Sequence, residues 1–188
     1  MVMMSNRPSS FYETTILSVR KGNEVIVAGD GQVTMGSSVF KSNVRKVRRL
    51  AKGDVIAGFT GSITDALILF DLLEAKLEKN PHQLISICVD VAMEWHKNPD
   101  LSHLDVMMAV VNKTHSLVLT GVGEILEPED GLIGIGEGSG YALAAARALL
   151  SIESLSVQMI VEKAMLVSSD MCTFKNKNFI FESIEVES

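Results

Sequence analysis

Apolar residues along this chain follow two spacings, one alternating and one near every third or fourth position. Residues 15–20 (TILSVR) alternate and are rich in β-branched side chains, which predicts a strand. Residues 21–23 (KGN) read as a turn, and residues 24–28 (EVIVA) as the returning strand. The glycines on either side of Asp30 break it, and residues 32–35 resume extended backbone. A fully apolar strand follows at 55–59 (VIAGF). Gly61 and Ser62 then lead into a helix over about 64–79. Its apolar face is wide (Ala66, Leu67, Leu69, Phe70, Leu72, Leu73, Leu77), which predicts heavy burial. Asn80 and Pro81 end it, and Pro81 suits the start of a second helix over about 82–96.

Residues 106–111, 116–120 and 124–126 read as strands joined by turns at 112–115 and 121–123. Residues 132–135 form a further apolar strand. A glycine-rich bend at 134–140 (GIGEGSG) feeds a helix over 141–150. Ser154 or Ser156 caps another helix that runs to about 169, and 179–186 is a closing strand. The order is strands, two helices, strands, two helices, strand. Two antiparallel sheets face to face, with a helix pair on each outer face, would bury all of it, an α+β architecture.

Composition narrows the class. The chain has 188 residues, 47% apolar and 21% charged, with only 4 prolines. That describes one folded domain rather than a disordered chain. A net charge of −6 argues against a nucleic-acid partner. Cys88 and Cys172 give neither a disulfide framework nor a zinc pattern, which fits a reducing compartment. No apolar run reaches the roughly 18 residues of a membrane span. Residues 1–13 lack the apolar region of an export signal, so a cytoplasmic location is expected. Met1, Met3 and Met4 each stand as a candidate start.

Candidate chemistry is sparse. The glycine-rich bend has neither G-x-G-x-x-G spacing nor a following G-K-[ST], so a tight strand-to-helix turn is preferred over a nucleotide site. A helix start there still offers free N–H groups near a developing negative charge. His82, His96, His103 and His115 have no metal-ligand spacing and read as surface or helix-end residues. Cys88 falls on an apolar helix and reads as core. The basic run Lys41, Arg45, Lys46, Arg48, Arg49, Lys52 is ordinarily a solvated face; an interface for an acidic partner or a carboxylate terminus is the sharper alternative. One of its lysines pointing inward would lower the pKa of a nearby amine or hydroxyl, and spacing does not say which. Asp30 between glycines reads first as a turn aspartate. Thr14 would become a terminal nucleophile if residues 1–13 were removed. A terminal threonine carries hydroxyl nucleophile and amine base on one residue.

Five segments in constant order decide between these alternatives: TTILSVR (14–20), VIVAGDGQVTMG (25–36), the N-V-x-K-V-R-R-L pattern (43–50), VIAGFTGSITDA (55–66) and YALAAARALL (141–150). Together they closely resemble the HslV (ClpQ) family of proteasome-like peptidases, from Thr14 to about Glu185. The resemblance implies a four-layer αββα N-terminal-nucleophile hydrolase: a pro-segment at 1–13 and a single peptidase domain at 14–188. It implies a homo-oligomer of two stacked six-membered rings with an HslU-type AAA+ ATPase docked on the outer faces. The ATPase, not this chain, would bind ATP. The substrates implied are unfolded proteins. By position Thr14 matches the catalytic threonine, Asp30 the acidic residue beside it and Lys46 the basic residue, with the Gly61 N–H as oxyanion donor. Residues 58–62 would line the substrate groove. Lys41 and Arg48 match positions that receive the ATPase tails.

Three departures carry expectations of their own. Glu137 stands where the family usually has serine. A carboxylate there would pair with Lys46 or raise the pKa of the terminal amine, so impaired catalysis is expected, and a silent ring subunit is the rival reading. Glu137 acting as a base, or Ser139 supplying the hydroxyl, are the alternative rescues. Glu13 precedes the nucleophile where glycine is common, and a non-glycine residue enters the strained turn of self-cleavage less easily. The implied sodium or magnesium loop would use backbone carbonyls of Ser169, Cys172 and Lys175. Lys175 replaces a common threonine and sets an ammonium against a cation, so no cofactor is expected to be required.

Overall fold

The computed structural model describes residues 14–35, 38–80, 82–172 and 176–185. The expectations on the pro-segment, Glu13 and Lys175 lie outside them. Two antiparallel sheets stack face to face. One has the order β10-β1-β2-β11, from β1 (Ile16–Lys21), β2 (Glu24–Asp30), β10 (Leu132–Ile135) and β11 (Phe179–Glu185). The other has the order β5-β6-β7-β8-β9, from β5 (Val47–Leu50), β6 (Val55–Gly61), β7 (Val106–Val111), β8 (Ser116–Thr120) and β9 (Ile125–Leu126). A separate hairpin pairs β3 (Val33–Met35) with β4 (Ser38–Lys41). Helices α1 (Ile63–Leu77) and α2 (Leu84–Lys97) cover the second sheet, and α3 (Ser139–Leu150) and α4 (Val157–Met171) the first.

The strands are apolar on both faces because both faces are buried. Along β1, Leu17 and Val19 point to α3 and α4, while Ile16 points to the other sheet. Along β7, Met108 and Val110 face α1 and α2, while Ala109 and Val111 face inward. The inner slab of Ile16, Val25, Val27, Val47, Ile56 and Ile133 joins the sheets. Each such side chain contributes roughly 1.5–3 kcal/mol of hydrophobic stabilisation. Serine caps start two of the helices: Ser62 Oγ accepts from the Asp65 N–H at 3.3 Å, and Ser156 Oγ from the Met159 N–H at 3.2 Å.

Several expectations need correction. Strands β4 and β5 were not expected: β4 ends at the first residue of the basic run, and β5 lies within it. In β5 the charge hid the strand: Val47 and Leu50 are buried while Arg49 is exposed. In β4 all four residues are exposed and backbone pairing with β3 alone makes the strand. On α1 the buried face is Ala66, Leu69, Phe70, Leu73 and Leu77; Leu67 lies outside it and is exposed. Strand β2 runs through Gly29 to Asp30 instead of breaking at Gly29.

The sheets approach closely at Gly29 and Gly58. A Cβ on Gly29 would stand 2.8 Å from both Ile16 Cδ1 and Val47 Cγ2, and one on Gly58 would stand 2.9 Å from Ile16 Cγ2. Those distances admit no side chain without rearrangement. The end of β2 and the starts of β1 and β5 therefore meet in a single cluster.

Candidate active site

Thr14 lies two residues before β1, Asp30 ends β2, and Lys46 immediately precedes β5. All three side chains converge. Lys46 Nζ donates to Thr14 Oγ1 at 2.5 Å, to Asp30 Oδ1 at 3.2 Å, and to the Gln32 carbonyl. Three oxygens around one nitrogen match the three N–H donors of the ammonium form. Lys46 is 3% exposed and Thr14 2%, so the contact is dry. Burial pulls the Lys46 pKa below its ordinary value, and the Asp30 carboxylate opposes that. Burial pushes the Asp30 carboxyl up, against the Lys46 charge and the N–H groups of Thr15 and Gln32.

Asp30 is more than a turn residue. Its Oδ2 accepts from the Thr15 N–H at 2.7 Å and its Oδ1 from the Gln32 N–H at 3.1 Å. The carboxylate thus fixes the backbone of the nucleophile's neighbour as well as the lysine. Gly31 lets the Ser42 backbone approach closely, since a Cβ there would lie 2.7 Å from the Ser42 carbonyl oxygen.

The opposite wall is the glycine-rich bend. Gly136 has φ +95°, and a Cβ on it would lie 2.1 Å from the Thr14 carbonyl oxygen and 3.3 Å from Thr60 Oγ1. A Cβ on Gly138 would lie 2.2 Å from Thr15 Oγ1 and 2.4 Å from Ser168 Oγ. Between these glycines Glu137 is exposed, on the rim of the cleft that Thr14 lines. It does not pair with Lys46, whose carboxylate partner is Asp30, so that route to impaired catalysis is corrected. Ser139 Oγ donates to the Gly136 carbonyl at 2.6 Å and does not line the cleft. Gly61, at the end of β6, has φ +105° and packs on the Asp105 carbonyl; its neighbour Thr60 reaches the same bend, but Gly61 itself does not line the cleft.

Lys41 and Arg48 lie apart from this cluster. Lys41 is exposed at the end of β4, and the Arg48 guanidinium lies 5.2 Å over the Phe70 ring. Ser169 and Cys172, at the end of α4, line the cleft. The last carbonyls of a helix have no partner within it, and Ser169 Oγ is buried with no hydrogen-bond partner among the described residues. Such oxygens suit a hard cation. No cluster of three His, Cys, Asp or Glu gathers among the described residues.

Ser168 was not foreseen. Its Oγ donates to the Gly138 carbonyl at 2.8 Å and lies 3.2 Å from Thr15 Oγ1, tying α4 to both walls. A mid-helix serine carries no sequence signal for such a role. Ser168→Ala should cost about 1–2 kcal/mol in urea unfolding and lower turnover several-fold by loosening Thr15. Unchanged stability and rate would show the bridge to be idle.

A proteasome-subunit family model matches residues 12–184. The chain is 51% identical over 175 residues to the ATP-dependent protease subunit HslV of Paramagnetospirillum magneticum, covering 93% of this chain and 96% of that one. It is 50% identical over 174 residues to the HslV subunit of the Wolbachia of Brugia malayi, covering 93% and 99%. The crystal structure of eukaryotic HslV from Trypanosoma brucei superposes with a TM-score of 0.87 at 40% identity, covering 92% of this chain and 99% of that one. The BPH protein of Thiobacillus denitrificans shares the fold at 20% identity, with a TM-score of 0.73. With a family model spanning nearly the whole sequence and half of all positions shared with two HslV subunits, the chain belongs to the HslV branch of the proteasome family, the N-terminal-nucleophile threonine peptidases.

Proposed function

We propose that Thr14 is the working nucleophile of this peptidase subunit, exposed by removal of residues 1–13, and that the chain cleaves unfolded proteins fed to it by an HslU-type AAA+ ATPase. One observation carries the reading: the Lys46 ammonium sits 2.5 Å from Thr14 Oγ1 with Asp30 behind it. A hydrogen bond from a buried cation stabilises the developing alkoxide, so the hydroxyl gives up its proton more readily.

The freed α-amine of Thr14 accepts that proton. Oγ1 then bonds to the peptide carbonyl carbon, and the carbonyl oxygen takes up the negative charge. The carbon–nitrogen bond breaks, the departing amine takes the proton, and an ester remains on Thr14. Water, deprotonated by the same amine, hydrolyses the ester and restores the hydroxyl. The Lys46 charge also favours the neutral amine, which is the form that accepts a proton. The chemistry requires no cofactor; a sodium or magnesium ion at the end of α4 would use the carbonyls of Ser169 and Cys172.

The exposed Lys41 and the half-buried Arg48 are assigned to carboxylate-terminated tails of the ATPase, in a cytoplasmic assembly of two stacked hexameric rings. Among the described residues no helix is long and apolar enough to cross a membrane.

The intact mass of the untagged protein, taken alone and with the ATPase, tests the nucleophile. The expected species starts at Thr14 and hydrolyses a fluorogenic peptide when the ATPase is present. An active protein that keeps residues 1–13 would overturn the proposal.

A further inference from the structure

Glu137 is held at the mouth of the cleft by its neighbours. Gly136 packs on the Thr14 carbonyl and Gly138 on the Thr15 hydroxyl, both too closely to admit a Cβ. The residue between them therefore has little freedom to move away from the nucleophile. Its side chain is exposed and makes no ion pair among the described residues. The other carboxylate lining the cleft, Asp30, is already matched by Lys46. Lys46 in turn has all three donors engaged. The described lining thus carries one uncompensated negative charge, on the rim of the cleft that Thr14 lines.

We propose that Glu137 is a specificity-determining residue that directs the cleft toward peptides with a cationic side chain, lysine or arginine, next to the bond to be cut. This rests on the peptidase reading above. A terminal amine acting as base is neutral when substrate arrives, so it does not cancel the Glu137 charge in the competent state. A substrate cation does, at a separation where exposed pairs retain a modest attraction. An acidic residue at the same place meets repulsion. The effect is screened by salt, because Glu137 is in contact with solvent.

The test uses the full chain with its ATPase and fluorogenic peptides that differ only in lysine, norleucine or glutamate beside the scissile bond. The expected kcat/KM favours lysine over norleucine about five- to tenfold at low salt, and glutamate is poorest. Glu137→Gln should flatten the series, and 0.5 M salt should shrink it in the wild type. An unchanged series in Glu137→Gln overturns the proposal. Peptide methyl ketones with the same three side chains, which offer no leaving amine, report binding independently of turnover. Tighter binding of the lysine compound to wild type but not to Glu137→Gln, with no hydrolysis of any peptide, would keep this proposal and sink the peptidase mechanism. Equal binding of all three overturns it.

Discussion

Thr14→Ala abolishes peptide hydrolysis and leaves the fold intact. The substitution removes the atom proposed to attack the carbonyl, and two nearby hydroxyls are engaged elsewhere: Thr15 Oγ1 with Ser168, and Ser139 Oγ with Gly136. The loss should reach the background rate, since a nucleophile deleted from a coupled set leaves little for the rest to do. The structural cost is small by comparison. Lys46 loses one of three acceptors and keeps Asp30 and the Gln32 carbonyl, so about 1–2 kcal/mol of stability is lost, against the roughly 5–15 kcal/mol typical of a domain. The check is a peptidase assay with the ATPase, beside thermal unfolding of the same protein. Hydrolysis at the wild-type rate would remove Thr14 from the mechanism. Thr14→Ser keeps the hydroxyl and should retain measurable activity, which separates lost chemistry from lost structure.

Lys46→Met should lower kcat by roughly 10²–10³, the usual effect of removing a group that stabilises developing oxyanion charge. Methionine fills most of the space, so packing changes little. The charge change matters more. Asp30 is left with two backbone N–H donors and no cation in a buried setting. Breaking a buried pair by removing one partner costs about 3–5 kcal/mol. Activity and stability therefore fall together, unlike in Thr14→Ala, and urea unfolding with single-turnover kinetics would report both. Wild-type kcat in Lys46→Met would show that the hydroxyl needs no cation.

The same lysine sets a pH limit. The proposed mechanism needs the ammonium, and burial lowers its pKa from the ordinary 10.5. Activity should therefore fall as pH rises through that lowered value, giving an alkaline limb below 10.5. Stability runs the other way for this group. Between its folded and ordinary pKa the unfolded chain binds more protons, so the Lys46 contribution to stability rises with pH there. An alkaline limb at or above 10.5 would exclude Lys46 as its source.

Much of the fold was legible. Strands Val106–Val111, Ser116–Thr120 and Leu132–Ile135 follow directly from apolar runs between turn residues. Helices α2 and α4 follow from their start signals, Pro81 and a capping serine, with Ser156 rather than Ser154 as the cap of α4. Strands β4 and β5 were not legible, because their extended backbone comes from pairing partners and not from their own composition. A strand rich in arginine has no distinctive local signal when one face is solvated.

The site divides in the same way. The sequence by itself determined the family likeness, the candidate triad of Thr14, Asp30 and Lys46, and the odd carboxylate at Glu137, because these are matters of residue type and order. Spacing alone, without the likeness, left open which lysine of a basic run turns inward, since six cations within a dozen positions look alike until one is desolvated. The tertiary structure decided that. Pairing of Val47 with Gly58, and the close approach at Gly29, carry Lys46 into the gap between the sheets, where water is excluded and three acceptors converge. The fold likewise decided that Asp30 serves two backbone donors as well as the lysine, that Ser168 bridges α4 to both walls, and that Glu137 faces outward instead of toward Lys46. These are distances between residues far apart in the chain, and they exist only once the sheets have closed on each other.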